Sequence, residues 1–197
     1  GEAPTPRLLE ARGLVLYQGA RPLCRPLDLT LEQGERLAIL GRNGAGKSTL
    51  LRLCAGEDVA YTGSFYRAPG LEQNIVPQQT HHLRGGLRDL ARQQQVEESL
   101  LLALLRQMGL ERRHLERPVE QMSEGQRKKV LLALAFCRPY MLYLWDEPMN
   151  YIDVITRMQL EEAVQDSRAT MVFVEHDSAF VRHTATKTVE LAPFSQG

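Results

Sequence analysis

The sequence predicts an α/β domain: a mostly parallel sheet core, an N-terminal antiparallel β part and an inserted helical subdomain. Three observations carry that expectation. A short buried run at residues 35–41 passes through a glycine-rich loop directly into a helical stretch, which is how an α/β unit begins. The runs MLYLW and MVFV are apolar without alternation, as strands covered on both faces are. Over residues 81–121 the character changes to leucine- and glutamine-rich helix.

Taken in order, residues 1–6 read as a linker outside the fold. Residues 13–18 and 26–32 read as strands, with turn signals at Gly19 and Pro22 between them. Residues 35–41 form the first buried strand, and 47–55 a helix that Gly56 stops. Short strands follow at 62–68 and 73–77. The insert holds helices at 86–95 and 96–107, the second ended by Gly109, and its leucines at 100–105 are expected to be core. A polar turn then leads into an apolar helix at 126–137. Strand 140–145, helix 154–165, strand 170–175, short helix 178–183 and strand 188–191 complete the chain. The expected organisation is one domain over 1–197, with 7–77 and 126–197 as core and 78–125 as the helical subdomain.

Composition narrows the function classes. Twenty-four basic residues balance twenty-four acidic ones, so no basic face for nucleic acid follows from the average. Cys24, Cys54 and Cys137 show no paired spacing and read as buried, reduced thiols of a cytoplasmic protein. No apolar run approaches the roughly 18 residues of a membrane span, and no signal peptide is recognisable.

Residues 41–49 read GRNGAGKST, matching G-x-x-x-x-G-K-[ST]. Gly41, Gly44 and Gly46 let the backbone curl, so that N–H groups from Asn43 through Ser48 and Thr49, Ala45 included, can turn toward phosphate oxygens. Lys47 can reach the terminal phosphates and the Ser48 hydroxyl can ligate Mg²⁺. The strand of residues 140–145 ends in Asp146 and Glu147. There Asp146 would hold Mg²⁺, and Glu147 would orient the attacking water.

With those two motifs placed, the order of the others resembles an ABC-type ATPase of the P-loop NTPase class over nearly the whole chain. The resemblance implies ATP and Mg²⁺ as cofactors and a second ABC ATPase domain as partner. It puts Tyr17 where a ring stacks on adenine, although alone Tyr17 would be a sheet-surface tyrosine. It makes Gln78 a contact to Mg²⁺ and to the reacting water, with Gln79 as the alternative register. MSEGQ at 122–126 is similar to the signature LSGGQ, which implies that Ser123, Gly125 and Gln126 face a γ-phosphate held by the partner domain. Glu124 departs from that pattern by standing where the first glycine would be. NYID at 150–153 resembles the loop that crosses the domain pair, so Asp153 is expected near nucleotide, and VEHD at 174–177 makes His176 a switch histidine.

Two basic features keep both readings open. Arg127, Lys128 and Lys129 form either a solvated face or a contact with RNA or a partner's nucleotide, and His81 with His82 is more simply two neighbours than a metal pair. The segment LWDEPMNYIDV, the MSEGQRKKVLLA run and the short insert look most like the second ATPase domain of an ABC-F protein of the antibiotic-resistance branch. That likeness implies a first domain in the same polypeptide, and a ribosome reached through segments outside this chain. Alternatives are a homodimer, the ATPase subunit bound to a transporter's membrane subunit, and a binding module without turnover.

Overall fold

In the computed structural model, which describes residues 6–194, β1 (Arg7–Gln18) is the spine of an antiparallel sheet. It pairs with β2 (Arg21–Pro22), β3 (Leu27–Glu32) and β5 (Tyr61–Arg67). The strand begins at Arg7 rather than at residue 13, because Leu8, Leu9 and Ala11 are already buried. The pairing shifts register against β3 and β5 around Gly13, whose φ is 56° and whose N–H donates to Asp28 Oδ1 at 2.7 Å. A bulge of this kind interrupts the two-residue period by which a strand is read from sequence.

The second sheet is wholly parallel, in the order β6 (Gln73–Val76), β7 (Leu142–Asp146), β8 (Met171–Val174), β4 (Arg36–Gly41), β9 (Lys187–Leu191). Its two faces feed two apolar clusters. Leu37, Ile39, Leu142, Leu144, Val172 and Val174 pack with the antiparallel sheet and with α1 (Lys47–Cys54). The alternate residues Ala38, Tyr143, Trp145, Met171 and Phe173 pack against helices on the other side. A strand buried on both faces has no polar side to show, which is why these runs are continuous in the sequence.

The insert comprises α2 (Leu87–Gln93), α3 (Glu98–Gln107), the four-residue α4 (Arg112–Leu115) and a 3₁₀ turn at Val119–Gln121. Helix α5 (Glu124–Ala135) then returns to the sheet. Of the leucines expected as insert core, Leu101 and Leu105 are fully buried while Leu100 is exposed, since one helix face alone can pack inward. Helix α4 buries no residue and is held by reciprocal bonds between Glu111 and His114, so it carried no apolar period to read. The chain closes with α6 (Val154–Ser167) and α7 (Ser178–Thr184) around β8. Because β4, β6, β7 and β8 run in one direction, the loops that follow them gather along one sheet edge, where open α/β sheets bind ligands. No helix of the described residues is long and apolar enough to cross a membrane.

Candidate functional site

The loop after β4 carries the first part of the site. Gly46 is the N-cap of α1 with φ 96°, and a Cβ there would lie 3.2 Å from a methyl carbon of Leu23. Both the left-handed backbone and the close packing call for glycine. No side chain caps α1, so its first-turn N–H groups and positive dipole end face the loop that they follow. Lys47 is buried, and its Nζ donates to the Gly41 carbonyl at 2.7 Å, curling the loop around its own lysine. Arg42, Asn43 and Gly44 form the exposed crest, while Ala45 and Gly46 pack inward. Thr49 follows Ser48 in the first turn of α1.

Ser48 Oγ donates to Asp146 Oδ2 at 2.9 Å at the end of β7. The other carboxylate oxygen, Oδ1, is buried without a hydrogen-bond partner. Burial pushes the Asp146 carboxyl above its ordinary value, against the Ser48 hydrogen bond that pulls it down. A hydroxyl, a carboxylate with one unsatisfied oxygen and the nearby Gln78 amide form an all-oxygen donor set that suits a hard cation such as Mg²⁺. Ser48, Asp146 and Gln78 would hold it.

Glu147 is the centre of the remaining geometry. Its φ is 50°, unusual for a non-glycine residue, and its N–H donates to Val174 O at 2.7 Å. Gln78 Nε2 donates to Glu147 Oε2 at 2.7 Å and Asn150 Nδ2 to the same oxygen at 3.0 Å. His176 Nε2 lies 2.9 Å from Glu147 Oε1. Three loops, after β6, β7 and β8, thus converge on one carboxylate. It is Gln78 and not Gln79 that makes this contact.

The MSEGQ segment lies at the start of α5. Ser123 Oγ accepts from Gln126 N at 3.2 Å while Gln126 Oε1 accepts from Ser123 N at 3.0 Å, a reciprocal capping box. A Cβ on Gly125 would meet the Tyr151 carbonyl oxygen at 2.9 Å, so the loop of residues 150–153 packs directly on the signature glycine. Tyr151 is itself 70% exposed, and a hydrogen bond from its phenol to Glu124 raises its pKa above the ordinary value. Asp153 is placed as the N-cap of α6, accepting from Thr156 N at 3.0 Å, and its Oδ1 lies 2.8 Å from Lys129 Nζ. Its carboxylate is therefore engaged within its own chain. Tyr17 sits near the end of β1, beside Leu16, whose Cδ1 would lie 3.8 Å from a Cβ on Gly46.

Several groups around the site were not singled out from sequence. Asn150 joins the Glu147 cluster through its side chain. Glu175, almost fully buried, accepts from Met149 N at 2.9 Å, His176 N at 2.8 Å and Asp177 N at 3.0 Å, tying two of the loops together. A carboxylate between a buried strand and a candidate histidine was the available signal. The basic run at 127–129 is no solvated face. Arg127 bonds Thr80 Oγ1 and the Met122 carbonyl, Lys129 bonds the Met108 carbonyl as well as Asp153, and Lys128 is only 1% exposed. The signal for Lys128 was its spacing from Leu132 and Ala135, which puts all three on one buried helix face. His81 and His82 meet edge to face at 6.2 Å, and no cluster of metal-ligating side chains occurs among the described residues. Cys24, Cys54 and Cys137 are free; burial lifts the Cys54 thiol to about 12 and Cys137 to about 11, so neither is a ready nucleophile.

Residues 24–150 match the family described as ABC transporter. The ribosome protection protein VmlR of Bacillus subtilis is 29% identical over 94% of this chain, and the ATP-binding protein Uup of Caulobacter vibrioides 33% over 91%. The chain spans 34% and 29% of their lengths, about a third of each. The aliphatic sulfonates import ATP-binding protein SsuB 1 of Agrobacterium fabrum is 33% identical over 81% of the chain, which spans 62% of it. Among solved structures, a dimeric bacterial ABC transporter cassette has a TM-score of 0.76 at 20% identity, covering 94% of both chains. An ATP-binding subunit of an ABC transporter has a TM-score of 0.70 at 24% identity, over 96% of this chain and 89% of that one. With the family matched through the phosphate loop, the signature and the acidic pair, and with its fold shared, the chain belongs to the ABC transporter family as an ABC-type ATPase domain.

Proposed function

We propose that this domain binds Mg²⁺ and ATP along the carboxyl edge of the parallel sheet and hydrolyses the terminal phosphoryl group when paired with a second ABC domain. The observation that carries the reading is the single carboxylate of Glu147, held by Gln78, Asn150 and His176 beside the Ser48–Asp146 bridge. In this reading the loop from Gly41 to Thr49 wraps the phosphates, with Asn43, Gly44, Ala45, Gly46 and Lys47 as its contacts, and Tyr17 stacks on the base. Bound Mg²⁺ would neutralise phosphate charge. Glu147 orients the attacking water and accepts its proton, Gln78 fixes both the cation and that water, and His176 faces the γ-phosphate. Most of the acceleration in such a reaction comes from positioning and charge stabilisation, which a prearranged cluster supplies.

Ser123, Gly125 and Gln126 are assigned to the nucleotide of the partner domain, and residues 150–153 to the interface between domains. A neighbouring fold solved as a dimer, and another form of it solved in a post-hydrolysis state with ADP and Pi, support pairing and turnover. For the biological setting we infer an ABC-F type factor of the antibiotic-resistance branch acting on the ribosome. NYID and MSEGQRKKV favour it, as does the likeness to a protein named for ribosome protection. The SsuB 1 likeness supports a second reading, a transporter's ATPase subunit.

The test is Glu147→Gln in the full-length protein. It should keep ATP binding, lose turnover by at least about a hundredfold and co-sediment with ribosomes in ATP. Wild-type turnover removes Glu147 from its role. Partition of the variant to a membrane fraction instead of ribosomes favours the transporter reading.

A further inference from the structure

Lys128 lies on α5, only 1% exposed, and its Nζ points at three backbone carbonyls. The oxygens of Gln78 and Glu147 are each 3.3 Å away and that of Pro77 is 3.5 Å. An ammonium has three protons to donate, and here three acceptors surround it. Burial is the largest influence on the amine and lowers its pKa, while the carboxylates of Glu175, Asp146, Glu147 and Glu124 oppose that. A buried cation without such compensation would cost much of a protein's stability margin. The helix face beyond it is apolar, with Leu132 and Ala135 buried one and two turns further on, while Glu124 stands one turn before it. Packing alone would be served by leucine or methionine here.

The three acceptors belong to the two loops whose side chains meet at the reaction centre. Gln78 and Glu147 are joined through their side chains at 2.7 Å and through their backbones by one amine. The amine is carried by a helix whose first turn is the signature segment, with Ser123 as its cap. A helix moves as a rigid rod over so short a distance, because its backbone hydrogen bonds are stiffer than the loops beside it.

We propose that Lys128 is a positioning residue that transmits the placement of the signature helix to the Gln78–Glu147 pair. It fixes the backbone of Glu147, in its unusual left-handed conformation, relative to Gln78. It touches no reacting atom. This role rests on the assignment of Glu147 as the residue that orients water, and it adds to that reading a link between the half-site offered to the partner domain and the chain's own hydrolytic group.

The experiment compares Lys128→Met and Lys128→Gln with wild type in the full-length protein, with Glu147→Gln as a control. Steady-state ATP hydrolysis gives kcat and KM, and thermal unfolding gives the folded fraction. For folded Lys128→Met, kcat should fall by about tenfold or more while KM for ATP stays within about twofold. The glutamine variant, which keeps two donors on a shorter arm, should recover part of the loss. A brace with a purely structural role would lower the unfolding temperature yet leave kcat per folded molecule unchanged, and that result overturns the proposal. So does a rise in KM at constant kcat. If the methionine variant does not fold, the glutamine variant decides by the same criteria; failure of both to fold assigns Lys128 to the core and also overturns it. Glu147→Gln separates the two readings. Turnover by that control at the wild-type rate defeats the assignment of Glu147, whereas an inactive control beside fully active Lys128 variants defeats the role of Lys128 alone.

Discussion

Ser48 Oγ donates to Asp146 Oδ2 at 2.9 Å, joining residues 98 positions apart in the chain. The contact follows from topology. Helix α1 packs beneath β7 and β8, so its first turn comes up beside the tip of β7. One hydroxyl and one carboxylate then share a position suited to an oxygen-liganded cation, and the second Asp146 oxygen is left without a protein donor.

Ser48→Ala should therefore reduce the contribution of Mg²⁺ to nucleotide affinity and leave the metal-free affinity nearly unchanged. Calorimetric titration of ATP with Mg²⁺ and with EDTA reads both quantities. The Mg²⁺-dependent gain should shrink by about tenfold, or roughly 1.4 kcal/mol. An unchanged gain would remove Ser48 from the metal site.

Gly125 sets a second expectation. As a helical position it would favour alanine by up to about 1 kcal/mol. Against that, the added Cβ meets the Tyr151 carbonyl oxygen at 2.9 Å, a backbone atom that cannot rotate aside. Overpacking of this kind costs about 1–3 kcal/mol, so the clash should win. Urea unfolding of Gly125→Ala should show a lower midpoint at unchanged slope. A higher midpoint would mean that residues 150–153 yield readily.

What the sequence disclosed, and what it hid, follows from how local each feature is. The glycine loop is legible because Gly41 to Thr49 fold upon themselves, Lys47 Nζ on Gly41 O included. The acidic pair is legible because an unbroken apolar strand ends there. Residues 127–129 misled as a charge cluster because successive helix positions point in different directions. Arg127 turns to Thr80, Lys128 enters the core and Lys129 reaches Asp153. Asp153, read by its motif as a nucleotide neighbour, is caught by a lysine from a helix that only the fold brings close. Helix α4 escaped because four residues, Leu115 alone apolar among them, are too few to show a period.

The Lys129–Asp153 contact also has a pH signature. Desolvation raises the Asp153 carboxyl, but hydrogen bonds from Lys129 and Thr156 outweigh it and bring the pKa from 3.8 down to about 2. A carboxyl with a depressed folded pKa stabilises the fold fully above its unfolded value. That contribution is lost as pH falls from about 4 through about 2. Between pH 5 and 2, stability of the wild type should therefore decline more steeply than that of Asp153→Asn, measured by chemical unfolding at each pH. Because the Asp153 side chain is half exposed, the difference should shrink in high salt. Parallel curves would show that Asp153 is not the titrating group.

Glu124 gives the last prediction. It stands in the first turn of the signature helix, where the dipole favours negative charge, and it accepts from the Tyr151 phenol. Both contacts stabilise the single domain. In the paired state the same helix end is assigned to a γ-phosphate, and two anions near one another in a closed interface repel. The carboxylate should then act as a brake on ATP-driven pairing while supporting the unpaired domain. Glu124→Gly, made in the Glu147→Gln background of the full-length protein, should lower the ATP concentration needed for half-maximal closure by about threefold to tenfold. It should also lower thermal stability in the absence of nucleotide, since glycine forfeits helix propensity and the tyrosine contact together. Closure can be followed by the fluorescence of Trp145, buried next to Asp146 with its Nε1 bonded to Asn74, once any tryptophan outside this domain has been replaced by phenylalanine. Closure that needs more ATP in the glycine variant would show instead that Glu124 helps to build the partner's half-site, its carboxylate serving to place Tyr151 across the interface.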